Sequence, residues 1–200
     1  MLTKEELEAV YKKFDDDKIV KLAMDESKSL REDAVPILEQ EIIRRNLDDK
    51  LLEWIKWERN FFKGAELESI KAVIKNSQCT ECGGKDSEIK GFNIHYYSMF
   101  DSTFDANIIV CERCGKRARK KSYIKTATLG WISFYGIISV PLYFIGEIIA
   151  SFSRENTSKE IIESFIFENT GLIREYGIEN IRDLIYNSNL VQMKSDEITE

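Results

Sequence analysis

The stretch from Cys79 to Gly115 carries one short motif twice, as CTECG at residues 79–83 and as CERCG at residues 111–115. Both copies have the form C-x2-C-G, and together they contain all four cysteines of the 200-residue chain. Two residues between paired cysteines let both sulfurs point at one ion, and two such pairs supply the tetrahedral thiolate site that zinc prefers. We therefore predict one metal site with four ligands: Cys79, Cys82, Cys111 and Cys114.

The cellular environment predicted from the sequence favours a metal over disulfide bonds. The N-terminus is charged from the fourth residue and lacks the apolar core of a secretory signal peptide, which predicts synthesis in the cytoplasm without cleavage. Cysteines stay reduced there unless a metal binds them. Because four cysteine ligands leave no coordination position for water, we expect the ion to have a structural role. Iron with the same four ligands stays an alternative to zinc.

The 28 residues between the two pairs match one long β-hairpin. After a turn at Gly83-Gly84, β-branched and aromatic residues alternate as in a strand, and a second strand runs through residues 108–110 into Cys111. A third strand is predicted over Arg119 to Ile124. We also expect the glycine after each cysteine pair to adopt the left-handed backbone conformation.

This arrangement resembles the zinc-ribbon superfamily, in which two C-x2-C turns clasp one zinc at the end of a three-stranded antiparallel sheet. The resemblance covers residues 77–125 and rests on the four cysteines. It implies ligand roles for those cysteines and one structural Zn2+. Zinc ribbons occur in transcription factors, ribosomal proteins, enzymes and adaptors, so the resemblance implies a fold and no particular activity.

Helical patterns lie on both sides of this stretch. Thr3 and Glu6 form a capping box ahead of apolar residues at helical spacing, and similar patterns follow along the N-terminal part of the chain. The sequence therefore predicts an α+β chain in four parts. These are an N-terminal helical bundle at 1–76, a central three-stranded antiparallel zinc ribbon at 77–125, an apolar helix or helical hairpin at 126–152, and short C-terminal helices with an acidic tail at 153–200.

Residues 126–146 contain no charged side chain. As one helix, 21 residues reach about 31 Å, close to the hydrocarbon thickness of a bilayer. Three glycines and Pro141 interrupt the segment and favour two short helices over a single span. Three alternatives follow: a spanning helix, a hairpin that dips into one leaflet, and the apolar centre of a soluble helical domain.

The apolar segment also resembles that of a group of uncharacterised bacterial zinc-ribbon proteins, which carry a Gly-Trp-containing stretch after the ribbon. Gly130-Trp131, Gly136 and Pro141 carry this resemblance. The chain departs from the pattern at Ile132, where a second tryptophan is common. Because the group has no assigned activity, this resemblance implies architecture only.

A basic stretch precedes the apolar segment. Residues 79–125 carry nine basic and six acidic side chains, although the whole chain has a net charge of −6. Lys and Arg beside an apolar segment are attracted to the anionic cytoplasmic leaflet, and Trp and Tyr favour headgroup depth. We predict contact with an anionic surface through Arg117, Arg119, Lys120, Lys121, Lys125, Trp131, Tyr135 and Tyr143. Alternatively, the stretch 113–125 binds nucleic-acid phosphates.

The sequence offers no recognisable catalytic constellation. It contains neither a phosphate-binding glycine loop nor a nucleophile motif, and the single histidine, His95, is expected to be a strand side chain. We therefore predict a non-catalytic zinc-binding adaptor or regulatory protein, cytoplasmic and associated with the inner face of the membrane, with a protein partner and no small-molecule substrate. A nucleic-acid-binding protein and a soluble protein-interaction module are the alternatives.

Overall fold

A computed structural model of the chain describes residues 3–85, 87–97, 103–129, 140–146 and 152–194. Contacts between residues divide the chain into two compact units. The first unit comprises Met1–Phe62 and Asn169–Gly177, and the second comprises Lys63–Glu168 and Ile178–Glu200.

The first unit is helical. Numbered in chain order, its helices are α1 (Lys4–Tyr11), α2 (Asp16–Lys21), α3 (Val35–Arg44), α4 (Lys50–Arg59) and α9 (Thr170–Tyr176), with a π-helical turn at Leu22–Glu26 and a 3-10 turn at Ser27–Ser29. The predicted capping box is confirmed, because the backbone N–H of Glu6 donates to the Thr3 hydroxyl and the N–H of Thr3 donates to the Glu6 carboxylate. Apolar side chains at helical spacing, among them Ile19, Leu38 and Ile42, form the core.

The second unit is built around one hairpin. Strand β1 (Ile89–Tyr97) pairs antiparallel with β2 (Thr103–Cys111), with Ile89 opposite Cys111. The other elements are α5 (Gly64–Lys75), α6 (Glu112–Leu129), α7 (described over 140–146), α8 (Arg154–Glu168), a 3-10 turn at Ile178–Asn180 and α10 (Ile181–Lys194). This register places the base of the hairpin next to both cysteine motifs.

The predicted three-stranded ribbon is wrong. Among the residues that the structure describes, the sheet has only β1 and β2, and the segment expected to be a third strand lies inside α6. The helix is hard to recognise from sequence because small side chains, not large apolar ones, form its inward face. These residues recur at intervals of four, as helical geometry requires: Cys114, Ala118, Ser122 and Thr126.

Helix α8 packs tightly against β1 at a glycine. The Gly91 N–H donates to the Ser158 hydroxyl at 2.9 Å, and a Cβ at this position would lie 2.6 Å from the Cβ of Ile161. Only glycine permits this approach. The C-terminal helices are also longer than the short ones predicted, with 15 residues in α8 and 14 in α10.

Candidate metal centre

The four cysteine sulfurs converge at the base of the hairpin. All four Sγ atoms lie within 4.8 Å of one another, and Cys82 Sγ is 3.7 Å from Cys111 Sγ. All four are free thiols; Cys82 is exposed and the other three are buried. Sulfurs arranged in this way are positioned to hold one metal ion.

The first cysteine pair lies in a tight turn between α5 and β1. The Cys79 N–H donates to the Gly84 carbonyl at 3.0 Å, and the Gly83 N–H donates to the Cys79 carbonyl at 2.9 Å. Gly83 has a φ of +68°, so the predicted left-handed glycine is confirmed at this position. A side chain there would strain the turn that brings Cys79 and Cys82 to one side.

The second pair lies where β2 runs directly into α6. Cys111 is the last residue of the strand, and Cys114 follows in the first turn of the helix. The positive end of a helix dipole stabilises thiolates in this position. The left-handed conformation expected for Gly115 is wrong, because Gly115 is helical; a Cβ there would lie 2.3 Å from the ring of Phe92, so close packing requires the glycine.

Burial opposes ionisation of these thiols, whereas the effect of hydrogen bonding on the pKa differs from one thiol to the next. Burial raises the pKa of the Cys79 thiol, although backbone N–H groups, including that of Cys111 at 3.4 Å, donate to its sulfur. Burial and the neighbouring sulfurs also raise the pKa of Cys114. Burial opposes ionisation of Cys111 as well, but hydrogen bonds from the backbone and side chain of Cys114 and from Cys79 and Ser87 outweigh it and lower its pKa to about 6.

The donor set fits a soft or borderline cation. Thiolate sulfur suits such ions, whereas Mg2+ and Ca2+ take oxygen ligands. The lowered pKa of Cys111 favours its thiolate form, and a bound cation offsets the repulsion that would accompany ionisation of the other three thiols. With all four sulfurs engaged, a tetrahedral ion has no position left for water.

A buried asparagine that sequence reasoning missed joins the site to the hairpin. Asn189 Oδ1 accepts from the Ile109 N–H at 2.9 Å, and its Nδ2 donates to the Ile109 carbonyl at 3.0 Å and to Thr80 Oγ1 at 3.2 Å. Asn189 thus pairs with the outer edge of β2 as a further strand would, while also contacting the first cysteine turn. Its signal in the sequence is a polar residue four positions after Ile185, on the buried stripe of an amphipathic helix.

The predicted surface-contact residues that the structure describes lie on α6 and α7. Arg117, Lys120 and Lys121 are exposed on α6. The guanidinium carbon of Arg119 lies 5.3 Å from the centre of the Phe92 ring. Lys125 Nζ lies 4.4 Å from the centre of the Tyr96 ring and donates to its hydroxyl at 3.2 Å.

The predicted aromatic contacts have a different environment. Tyr143 is buried, and its hydroxyl donates to the His95 carbonyl at 2.7 Å. His95 is a strand side chain, as predicted, and its ring stacks on that of Tyr143. Trp131 and Tyr135 lie outside the described residues. Within the described part of the chain, none of the helices is both long enough and apolar enough to cross a membrane.

Comparison with known proteins finds no relative: no family model, no curated protein and no solved structure matches the chain. The resemblance to zinc ribbons therefore rests on the four cysteines, whose sulfurs converge as that resemblance implies. The ribbon's third strand has no counterpart among the described residues, where α6 takes its place.

Proposed function

We propose that the chain is a non-catalytic, zinc-binding adaptor that attaches to an anionic membrane surface through its second unit, on the cytoplasmic side. In this proposal the ion has a structural role, because four sulfur ligands complete the tetrahedral shell of zinc. It fixes the first cysteine turn to the start of α6. The excess of acidic over basic side chains in residues 126–200 is the feature that we expect a protein partner to recognise.

The membrane proposal rests on one feature of α6: a row of exposed basic side chains that is followed, on the same face, by exposed apolar side chains. Arg113, Arg117 and Lys121 follow one another at intervals of four, and all three are exposed, so they share one face of the helix. We call these three residues the outer stripe. Ile124, three residues after Lys121, is 54% exposed on the same face.

Helix α7 supplies further exposed apolar side chains beside α6. The rings of Tyr143 and Phe144 contact the ring of Tyr123 on α6 at centroid distances of 6.3 and 6.2 Å. With that side of α7 packed, Leu142 and Ile145 remain 60% and 53% exposed. An interfacial element that combines cations with outward aliphatic side chains suits a lipid headgroup region.

These aliphatic side chains favour a membrane over a nucleic acid. Phosphate backbones are bound by cations, and unpaired bases stack on aromatic rings, but neither uses exposed leucine and isoleucine. Each Lys or Arg near an anionic leaflet contributes about 1 kcal/mol, so the outer stripe contributes roughly 3 kcal/mol, which corresponds to about a hundredfold in partitioning.

Vesicle flotation tests the proposal with full-length, zinc-loaded protein. We expect binding to vesicles of phosphatidylcholine and phosphatidylglycerol at 3:1, little binding to phosphatidylcholine alone, and weakening at high salt. The R113Q/R117Q/K121Q variant is expected to bind the anionic vesicles on the order of tenfold to a hundredfold more weakly. The matched control, K12Q/K13Q/K21Q, removes three exposed lysines from the first unit and should bind like the wild type.

Two results would contradict the membrane proposal. One is equal vesicle binding by the wild type and the outer-stripe variant. The other is no vesicle binding combined with salt-sensitive binding of single-stranded RNA or duplex DNA that the outer-stripe variant loses, which would favour the nucleic-acid alternative.

A further inference from the structure

A groove of about 820 Å³ lies in the second unit between α6 and α8, with β1 along its floor. Its size is within the range of small-molecule sites. The floor is apolar and well packed: Ile89, Phe92 and Ile162 line it and are 1%, 6% and 2% exposed. The groove is distinct from the cysteine centre, because no cysteine lines it.

Positive charge predominates in this groove. Of the residues that the structure describes, seven with cationic side chains line it, against three with carboxylates. A concave site with charges of one sign and low-dielectric walls focuses the electrostatic field and attracts ligands of opposite charge. The groove is therefore selective for anions.

Ion pairs within the groove already engage the three carboxylates. Glu112 pairs with Lys116 at 2.6 Å and Lys90 at 3.7 Å, while Glu155 pairs with Lys159 at 3.0 Å. Glu88 lies 3.6 Å from Lys75 and 4.0 Å from Lys90.

Three cations on the same walls have no carboxylate partner among the described residues: Arg119, Lys120 and Arg154. Within the described residues, none of them has a carboxylate within 4.0 Å. Arg119 and Lys120 come from α6, and Arg154 begins α8 opposite.

The two arginines and the half-buried ring of Tyr123 indicate which class of anion fits the groove. A guanidinium presents a planar fork of donors that matches a phosphate, and a cation beside a dry wall binds it more strongly than one in open water. Arg119 is already held above the Phe92 ring, which limits its freedom. The accessible apolar surface of the groove comes from half-buried Tyr123 and the methylene stems of the lining lysines, and a ligand with an apolar body covers more of it than an inorganic ion does.

We propose that this groove binds an organic phosphate: a phosphate group held by Arg119, Lys120 and Arg154, attached to an apolar or aromatic body that lies against Tyr123 and the methylene stems of the lining lysines. This inference goes beyond the proposed membrane attachment and does not depend on it. The outer stripe and the groove use different residues of α6, so substitutions can separate them.

Calorimetric titration of the full-length, zinc-loaded protein with phenyl phosphate tests the inference. We expect saturable binding at one site, and at least tenfold weaker binding of inorganic phosphate because that ion has no apolar body to contact Tyr123 and the lysine stems. The R119Q/K120Q/R154Q variant is expected to bind phenyl phosphate at least tenfold more weakly. The R113Q/R117Q/K121Q variant, which loses the same net charge from the outer stripe, should stay within threefold of the wild type.

Two measurements keep the test interpretable. One zinc per chain and an unchanged circular dichroism spectrum establish that the groove variant is folded. When phenyl phosphate is added to the wild type, we expect amide chemical-shift changes at Gly91 and Ser158 in the groove and none at Gly83 in the cysteine turn. This measurement locates the binding site without the groove variant, and therefore applies even if that variant does not fold. Adenosine monophosphate and dihexanoyl phosphatidic acid then distinguish a soluble nucleotide from a lipid headgroup as the source of the phosphate.

The groove proposal is overturned if phenyl phosphate and the two larger phosphates all fail to bind saturably. Equal weakening by both triple variants also overturns it, since that result reflects net charge alone. Loss of vesicle binding in the outer-stripe variant with phenyl phosphate binding intact separates the two sites. Loss of phenyl phosphate binding in the groove variant, with its vesicle binding intact, likewise shows that the groove and the outer stripe are separate sites.

Discussion

Removal of the bound metal from the full-length protein is expected to abolish the native structure of the second unit around the hairpin. We expect a chelator to collapse the dispersed amide resonances of β1 and β2 and to expose apolar surface. The first unit, which contains no cysteine, is expected to keep its helical signal. The measurement is a titration with a high-affinity zinc chelator, followed by nuclear magnetic resonance and circular dichroism.

The size of this effect follows from what the ion holds together. Structural zinc contributes about 10–16 kcal/mol in zinc-finger peptides at neutral pH, comparable with the whole stability of a small domain, about 5–15 kcal/mol. Here the ion would join residues 79–82 to the junction of β2 and α6 at residues 111–114, and so close the loop that contains the hairpin. Without it, the buried thiols, their hydrogen bonds and the contacts of Asn189 must hold that junction.

Single ligand substitutions provide the matched comparison for metal removal. Cys114→Ser, which is buried and inside α6, should lower the metal affinity and the melting temperature of the second unit. Ser164→Ala on α8, at an exposed position away from the cysteines, should change neither. Unchanged hairpin resonances after complete metal removal would contradict the structural role that we assign to the ion.

The second large effect is expected from adding a single methyl group at Gly115. In an open helix, replacing glycine by alanine stabilises by up to about 1 kcal/mol. At Gly115 the sign is expected to reverse, because the new Cβ would lie 2.3–2.4 Å from three ring carbons of buried Phe92. Relieving the clash requires a shift of Phe92 or of α6, and such overpacking costs about 1–3 kcal/mol. Because Cys114 precedes Gly115, a displaced helix also weakens the metal site.

Thermal unfolding and metal competition measure the effect of Gly115→Ala. Gly146→Ala is the control: no atom of the described residues lies within 4 Å of a Cβ placed at this helical position, so the substitution should leave the melting temperature unchanged or raise it slightly. Phe92→Leu combined with Gly115→Ala should recover part of the loss, as expected for two residues in contact. A Gly115→Ala variant that is more stable than the wild type would show that the ring does not lie against the helix.

The sequence was most informative where a local rule acts without help from distant residues. The capping box at Thr3 and Glu6, the left-handed Gly83 and the convergence of four cysteines all follow from short motifs. The two strands of the hairpin followed from alternating β-branched and aromatic residues. Each of these features is decided within a few residues or by metal chemistry.

The remainder depended on packing that the sequence pattern does not reveal. Helix α6 turns small residues such as Ser122 and Thr126 toward the hairpin, so the apolar periodicity that marks a helix is missing. Asn189 acts through the backbone of Ile109, eighty residues away in sequence. Residues 169–177 belong to the first unit although they are far from its other residues in sequence, and this association is also non-local. Gly171 lies against the side chain of Glu58, so close that there is no room for a Cβ.

X-ray absorption spectroscopy of the purified full-length protein, together with its metal content, tests the central claim most directly. We expect one zinc ion per chain, surrounded by four sulfur atoms at about 2.3 Å. Iron in the same four-sulfur shell would preserve the site and change the ion. A shell of nitrogen and oxygen ligands, or folded protein that contains neither metal, would contradict the account.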